Sequence, residues 1–132
     1  MFSRPIVIVN GMSRAAQAGD GKNIIPQVVA ISADANDTIS ASKIASGVIS
    51  YTGFTAGRTL TTESGANLDT AFPEMGVGDS IAVEIGISTA FAGTLSAGTG
   101  ITLAGKTAVP ASGKATLYFT KTAAATYTCT AI

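Results

Sequence analysis

The chain has 132 residues, of which 46% are hydrophobic and only 12% are charged. Charged residues make up about a quarter of an average globular chain, so this surface must be covered largely by Thr, Ser, Ala and Gly. Eight basic residues balance eight acidic ones, and this balance excludes a net field that would attract nucleic acid or an anionic membrane.

The N-terminal region is predicted to form a strand followed by an extended arm. Residues 6–9, IVIV, are β-branched, and Pro5 before them suits a first or edge strand. Residues 10–23 are rich in glycine, with Met12 as their only large apolar residue, and are typical of a loop. Long loops in compact domains are often functional, so this arm is the first candidate for contact with a partner.

The same region carries no pattern of an export or membrane signal. Its apolar run of four residues is shorter than the core of a signal peptide, and no run in the chain approaches the roughly 18 residues of a membrane span. We therefore expect the protein to be made and assembled in the cytoplasm, without a membrane partner.

The segment after the arm is predicted to be mostly extended. The apolar sequence IIPQVVAIS at 24–32 predicts a strand, in which Pro26 indicates an edge or a bulge. Residues 33–38 predict a turn. Residues 39–54 are ambiguous until they end in VISYTGF, which favours a strand, and residues 55–63 continue extended.

One short helix is predicted at residues 64–75, SGANLDTAFPEM. Ser64 can cap its N-terminus, and Leu68 and Phe72 lie four residues apart on one face. Pro73 cannot continue the helix and predicts its end.

The remainder of the chain alternates with a period of two, which indicates half-buried strands. The alternating runs are DSIAVEIGI at 79–87, KATLYFT at 114–120 and ATYTCTAI at 125–132. Between them, AGTG at 97–100 and AGK at 104–106 have turn composition and separate the short strands FAGTL and ITL.

Several short strands at spacings of about 8–12 residues indicate an all-β fold. We predict a mainly antiparallel β-sandwich, or a β-barrel of jelly-roll type, with one short helix. Residues 24–132 are expected to form the sandwich and residues 1–23 the N-terminal strand and arm, within one structural domain overall.

The chain contains no histidine and a single cysteine. Ser-His-Asp and Cys-His catalysis, histidine metal sites, thiolate zinc sites and an intramolecular disulfide are therefore excluded. Alternation places Cys129 on one strand face with Tyr127 and Ala131, which predicts a buried structural thiol.

Two interpretations apply to the acidic residues near position 35. Asp34, Asn36 and Asp37 could offer oxygens to Ca²⁺, although their spacing is not that of an EF-hand loop. They could equally make Asx-turn hydrogen bonds. A glycosidase-like acid pair would need aromatic sugar platforms, and Trp is absent. We assign no catalytic residue, no cofactor and no metal site, and we expect the protein not to be an enzyme.

Nucleic-acid binding is also disfavoured by the aromatic residues. They are scattered, without a run in which they alternate with Lys or Arg to stack on bases and follow phosphates. Phe91 and Phe119 fall on predicted core faces. No nucleic-acid partner is therefore expected.

The second half of the chain carries a series of motifs in a fixed order. A helix ending near Phe-Pro is followed by V-G-D-S, an alternating strand, A-G-T-G-I-T-L, a turn and a closing strand. These motifs lie at residues 71–73, 77–80, 97–103 and 117–119. The series resembles a segment of small structural proteins in tailed-bacteriophage virions, and the resemblance spans residues 76–120 with the preceding helix, about half of the chain.

The resemblance implies a non-enzymatic head decoration, or cement, protein that bridges neighbouring major capsid subunits and stabilises the head. Its partners would be the major capsid protein and further copies of itself, in a trimer or dimer on the outer capsid surface. We predict that the N-terminal arm faces the capsid, with contacts from Phe2, Arg4, Met12 and Arg14.

Two alternatives remain from other classes. A structural or receptor-binding module of a tail or fibre would fit the β-rich composition, although no heptad run indicates a coiled-coil shaft. A carbohydrate-binding or hydrolytic β-sandwich would need the aromatic platforms or acid pairs that the sequence does not supply.

Overall fold

The computed structural model describes residues 27–132, which form ten strands and two short helices. Their bounds are β1 (Gln27–Ile31), β2 (Asp37–Ile39), α1 (Ala41–Ser46), β3 (Gly47–Tyr51), β4 (Arg58–Thr62), α2 (Gly65–Ala71), β5 (Ser80–Ile87), β6 (Gly93–Ser96), β7 (Ile101–Gly105), β8 (Ala108–Val109), β9 (Gly113–Ala123) and β10 (Thr126–Ala131). The predicted strand at 6–9 and the predicted arm at 10–23 lie outside the described residues.

The strands form two sheets between which the chain alternates. A six-stranded sheet has the order β1-β3-β5-β9-β10-β7, and a four-stranded sheet has the order β2-β4-β6-β8. From β1 to β6, each strand lies in the opposite sheet from the one before it. The pairs β1–β3, β3–β5, β2–β4 and β4–β6 are all parallel, so this part of the chain winds as a coil with one strand per sheet in each turn.

The all-β prediction is confirmed, but the expected mainly antiparallel pairing is corrected to mixed sheets. Five of the eight ladders are parallel and three are antiparallel. The short spacing between strands favours antiparallel hairpins only if consecutive strands pair with each other. In the coil, consecutive strands lie in different sheets and do not pair. Gln27 pairs instead with Gly47, 20 residues further along the chain.

The predicted helix forms as α2, and a second helix, α1, occupies part of the ambiguous segment. The Ser64 side chain accepts a hydrogen bond from the backbone N–H of Asn67 at 3.2 Å and caps α2 as predicted. Ser40 caps α1 in the same way, and Gly47 ends it with a φ of 91°. Because α1 has six residues, it is too short to show a helical period in sequence.

The inner faces of the two sheets enclose one hydrophobic core. Alternate residues of β5 and β9, such as Ile85 and Leu117, are fully buried, while their neighbours along the strand are not. Tyr51 and Phe54 stack with ring centroids 5.2 Å apart at one end of the core. The largest fully buried side chains are Tyr51, Tyr127, Phe119, Ile39, Ile44, Ile49, Leu60, Leu68, Ile85, Leu117 and Val83.

Glycine is required where the AGTG turn meets the β9–β10 turn. Gly100 has a φ of +82°, and a Cβ there would collide with the carbonyl oxygen of Ala125. A Cβ at Gly65, the first residue of α2, would collide with the same oxygen. The two glycines therefore allow the AGTG turn and the start of α2 to pack against one backbone oxygen of the hairpin.

The alternation along β9 predicts a large loss of stability at one residue and a small loss at its neighbour. Leu117→Ala should lower the free energy of unfolding by about 2–5 kcal/mol, because it leaves a cavity in the closed core. Thr116→Ala, one residue earlier on the outer face, should cost less than about 1 kcal/mol. Urea unfolding of both variants measures the difference, and equal losses would contradict the assignment of the faces.

Candidate interaction surface

The outer face of the six-stranded sheet consists mainly of small uncharged residues, and we call it the Thr/Ala face. The strand registers arrange its side chains in four rows, and none of its residues is buried. The rows are Thr102, Thr128, Thr120 and Ser80; Ala104, Thr130, Tyr118 and Ala82; Ile132, Thr116, Glu84, Val48 and Val28; and Lys114, Gly86, Ser50 and Ala30.

The Thr/Ala face carries one cation and one anion, which neutralise each other. The Nζ of Lys114 lies 3.3 Å from Oε2 of Glu84 on the adjacent strand. The Lys114 side chain is 71% exposed, so the pair contributes little to stability. What remains is a surface of hydroxyl and methyl groups, whose removal from water costs far less than the burial of unpaired charges.

Exposed apolar side chains are concentrated on this face. Val28 is 63% exposed, Tyr118 39% and Ile132 64%, and all three belong to its rows. The other large apolar side chains exposed in residues 27–132 are Val77 and Phe91. A contact that covers the Thr/Ala face would therefore also bury three of the five large apolar side chains that are exposed in residues 27–132.

The core position predicted for Phe91 is wrong, whereas Phe119 is fully buried as expected. Phe91 is 41% exposed and precedes β6, which begins only at Gly93. The sequence FAGTL alternates as a strand would, but its first two residues belong to the loop after β5. Alternation was therefore extrapolated beyond the end of the strand.

The carboxylate of Asp34 joins the loop after β1 to Thr55 and to Arg58 at the start of β4. It accepts hydrogen bonds from the hydroxyl of Thr55 and from the backbone N–H of Thr55 at 3.0 Å. It also accepts from Nη2 and Nε of Arg58 at 2.8 and 3.0 Å. The Thr55 hydroxyl, the Thr55 N–H and the Arg58 guanidinium together lower the pKa of Asp34 to about 2.

The other two residues of the possible Ca²⁺ set also contact distant parts of the chain. Asn36 accepts from the backbone N–H of Thr59 at 2.9 Å. Asp37 accepts from Nζ of Lys43 at 2.6 Å and from the hydroxyl of Tyr51 at 2.7 Å. Neither the Ca²⁺ interpretation nor the Asx-turn interpretation describes these contacts, because the oxygens of the set bind donors from later segments.

An open depression of about 350 Å³ lies next to Asp37 and is bordered by Asn36, Thr38, Ser40, Lys43 and Thr61. Its charged groups, Asp37 and Lys43, are already paired with each other. Within residues 27–132, no three carboxylate or thiol side chains converge closely enough to hold a metal ion.

Two further carboxylates connect the helices to the sheets. Asp69 of α2 accepts from the Tyr127 hydroxyl at 2.6 Å, from the backbone N–H of Ala125 at 2.7 Å and from Nζ of Lys121 at 3.1 Å. These donors, led by Tyr127, lower the pKa of Asp69. Burial, together with this hydrogen bond, raises the pKa of Tyr127. The contacts hold α2 against the β9–β10 hairpin.

Glu63 links the starts of both helices. Its carboxylate accepts from the backbone N–H groups of Ala41 and Ser64, at 3.3 and 3.1 Å, and from the Asn67 amide at 2.9 Å. Burial raises the pKa of Glu63, but the three hydrogen bonds outweigh it, and the pKa lies below its ordinary value.

The predicted capsid contacts Phe2, Arg4, Met12 and Arg14 all precede residue 27 and lie outside the described residues. They stay predictions. The sequence does not indicate the Thr/Ala face as a whole, although the alternation in KATLYFT puts Thr116, Tyr118 and Thr120 on one side of a strand. What the sequence did not indicate was that β7, β9 and β10 are neighbours, which is what joins their threonines into rows.

The full chain matches no known protein-family model, no curated protein and no solved structure. Neither helix within residues 27–132 is long and apolar enough to cross a membrane. The physical character of the Thr/Ala face and the resemblance of residues 76–120 are therefore the basis for a functional proposal.

The anchoring role of Asp34 predicts a specific acid dependence of stability. The pKa is about 2 in the folded protein against an ordinary value of 3.8, so the carboxylate stabilises the fold above pH 3.8. This contribution is lost as the pH falls towards about 2. Asp34→Asn should lower stability at pH 7 and make the further loss between pH 4 and pH 2 shallower, as measured by urea unfolding at each pH.

Some acid dependence should persist in Asp34→Asn, because the lowered pKa values of Asp69 and Glu63 act in the same direction. If the free energy of unfolding fell equally between pH 4 and pH 2 in the wild type and in Asp34→Asn, this result would contradict the assigned role of Asp34.

The predicted environment of Cys129 is confirmed. The thiol is fully buried on the inner face of β10 with Tyr127 and Ala131, and burial raises its pKa to about 12. We expect no reaction with a thiol-specific disulfide reagent at pH 8 in the folded protein and stoichiometric reaction after unfolding in urea. Rapid labelling of the folded protein would contradict this prediction.

Proposed function

We propose that this chain is a non-enzymatic structural protein of a tailed-bacteriophage virion, of the head-decoration type. The Thr/Ala face is the surface that it presents to the major capsid protein, so that each assembly bridges neighbouring subunits of the shell. The single observation that carries the proposal is the outer face of the six-stranded sheet, which has no net charge and on which Val28, Tyr118 and Ile132 are exposed.

The physical argument concerns what this face can bind well. A surface without net charge gains little from long-range attraction, so association depends on shape and on burial of methyl and aromatic groups. The rigid sheet behind the face holds the side chains in register before contact is made, which reduces the entropy lost on binding. Such a surface suits a permanent contact with one partner of matching shape.

The size of the face favours a repetitive partner. The four rows hold 17 residues, and with strands about 4.8 Å apart and rows about 6.6 Å apart they cover about 540 Å². A standard interface buries about 800 Å² on each partner, so one copy of this face alone would bind weakly. A dimer or trimer on a lattice of identical subunits engages several sites at once, and the linked contacts raise the overall affinity.

The resemblance to virion structural proteins supports the same proposal from a separate direction. Residues 76–120 comprise β5 to most of β9, and β5 and β9 form the centre of the six-stranded sheet. The segment that resembles virion proteins is thus the segment that supplies Tyr118, Thr116 and Ala82 to the middle of the Thr/Ala face.

The test is binding to undecorated heads of the phage that encodes the chain. We expect cosedimentation to saturate at a fixed ratio to the major capsid subunit, and light scattering of the free protein to give a dimer or trimer. Thr130→Lys places a charge near the middle of the Thr/Ala face and should weaken binding at least about tenfold. Thr94→Lys makes the same change at an exposed position of β6 in the other sheet and should bind like wild type.

Three results would overturn the proposal. The first is the absence of saturable binding to heads. The second is binding to host cells or glycans instead, which would favour a tail or fibre module. The third is an equal effect of Thr130→Lys and Thr94→Lys, which would place the contact elsewhere on the molecule.

A further inference from the structure

One edge of β1 is open within residues 27–132. In this part of the chain, β3 is the only strand that pairs with β1. The backbone N–H of Thr52 donates to the carbonyl of Ile31 at 2.9 Å, so the polar groups of Ile31 face β3. Successive residues of a strand direct these groups to opposite sides, and Val28 and Ala30 therefore direct theirs to the open edge.

The five residues of β1 themselves carry none of the features that usually block further pairing. Exposed edge strands are commonly blocked by charged residues, by proline or by a bulge. The sequence of β1, QVVAI, contains no charge and no proline, and its register with β3 is continuous over five residues. Val28 is in addition 63% exposed. The edge has the properties of a strand whose second neighbour is another β-strand.

The chain before β1 contains a segment of the right composition at the right distance. Twenty-six residues precede β1 and lead directly into it, and residues 6–9 are IVIV. Gln27 pairs with Gly47 one coil turn later, at a separation of 20 residues. The turns of the coil differ in length, since Val48 pairs with Glu84, 36 residues later. A turn as long as the one from Gln27 to Gly47, taken backwards from Gln27, reaches Val7 and places Ile8 beside Val28.

The length of the connection also fits another turn of the coil. Residues 32–46 connect β1 to β3 through the four-stranded sheet. Residues 10–26 would connect the new strand to β1 and are only slightly longer, so they can make a comparable circuit. A connection of this length is what parallel neighbours require.

We propose that residues 6–9 pair in parallel with the open edge of β1 in the same molecule and extend the six-stranded sheet by one strand. Ile8 then joins the row of Val28 and Val48 on the Thr/Ala face, while Val7 and Val9 lie on the core side. The proposal does not depend on a role in the virion, and its failure would leave that proposed function untouched.

Amide hydrogen exchange of the full-length protein tests the pairing without any substitution. The N–H groups of Val29 and Ile31 point towards β3, whereas those of Val28 and Ala30 are paired only if a further strand is present. We expect the amides of Val28 and Ala30 to be protected to within about tenfold of those of Val29 and Ile31. Unprotected exchange at Val28 and Ala30 would overturn the proposal.

A disulfide cross-link tests which segment fills the edge. In a Cys129→Ala background, we pair Ile8→Cys with Val28→Cys. Neighbouring strands bring Cα atoms to about 4.8 Å, which is within disulfide range. The matched control pairs Ile8→Cys with Val48→Cys, one strand further away at about 10 Å, where no bridge can form without backbone movement.

The expected result is an oxidised monomer for the first pair and no cross-link for the control, judged by non-reducing electrophoresis and peptide mass mapping. A cross-linked dimer would mean that the strand comes from a second copy, and it would overturn pairing within one molecule. Equal cross-linking of both pairs, or none in either, would also overturn it.

Discussion

The packing of the two inner sheet faces against each other is the interaction on which the rest of this structure depends. Side chains alternate across a strand, so burial of Leu117 and Phe119 in the core forces Thr116, Tyr118 and Thr120 to the outside. The core and the Thr/Ala face are therefore two consequences of one constraint. A one-residue slip in β9 would exchange them completely.

Within residues 27–132, three ion pairs hold separate segments of the fold together. Asp34 holds Arg58, Asp69 holds Lys121, and Asp37 holds Lys43, each across a separation in sequence. These ion pairs join loops and helices to the strands beside them. The outer face of the six-stranded sheet carries a single ion pair, between Lys114 and Glu84, and therefore has no net charge.

The coil topology places the open edge of β1 and the Thr/Ala face on different sides of the sheet. Parallel coils place β1 and β2 at one end of both sheets, and the Thr/Ala face runs perpendicular to that end. A further strand at β1 would lengthen the rows of the face without changing its composition. The edge and the face are therefore separate surfaces, and one can be completed while the other stays available.

The sequence by itself determined the local features, namely the alternation of β5, β9 and β10, the Ser64 cap and the burial of Cys129. Each depends on residues within a few positions of one another. Only the tertiary structure decided that Gln27 pairs with Gly47, that Asp34 meets Arg58, and that Thr102, Thr128 and Thr120 form one row. These pairings join residues that are distant in sequence, and core packing selects them among many strand arrangements that share the same alternation.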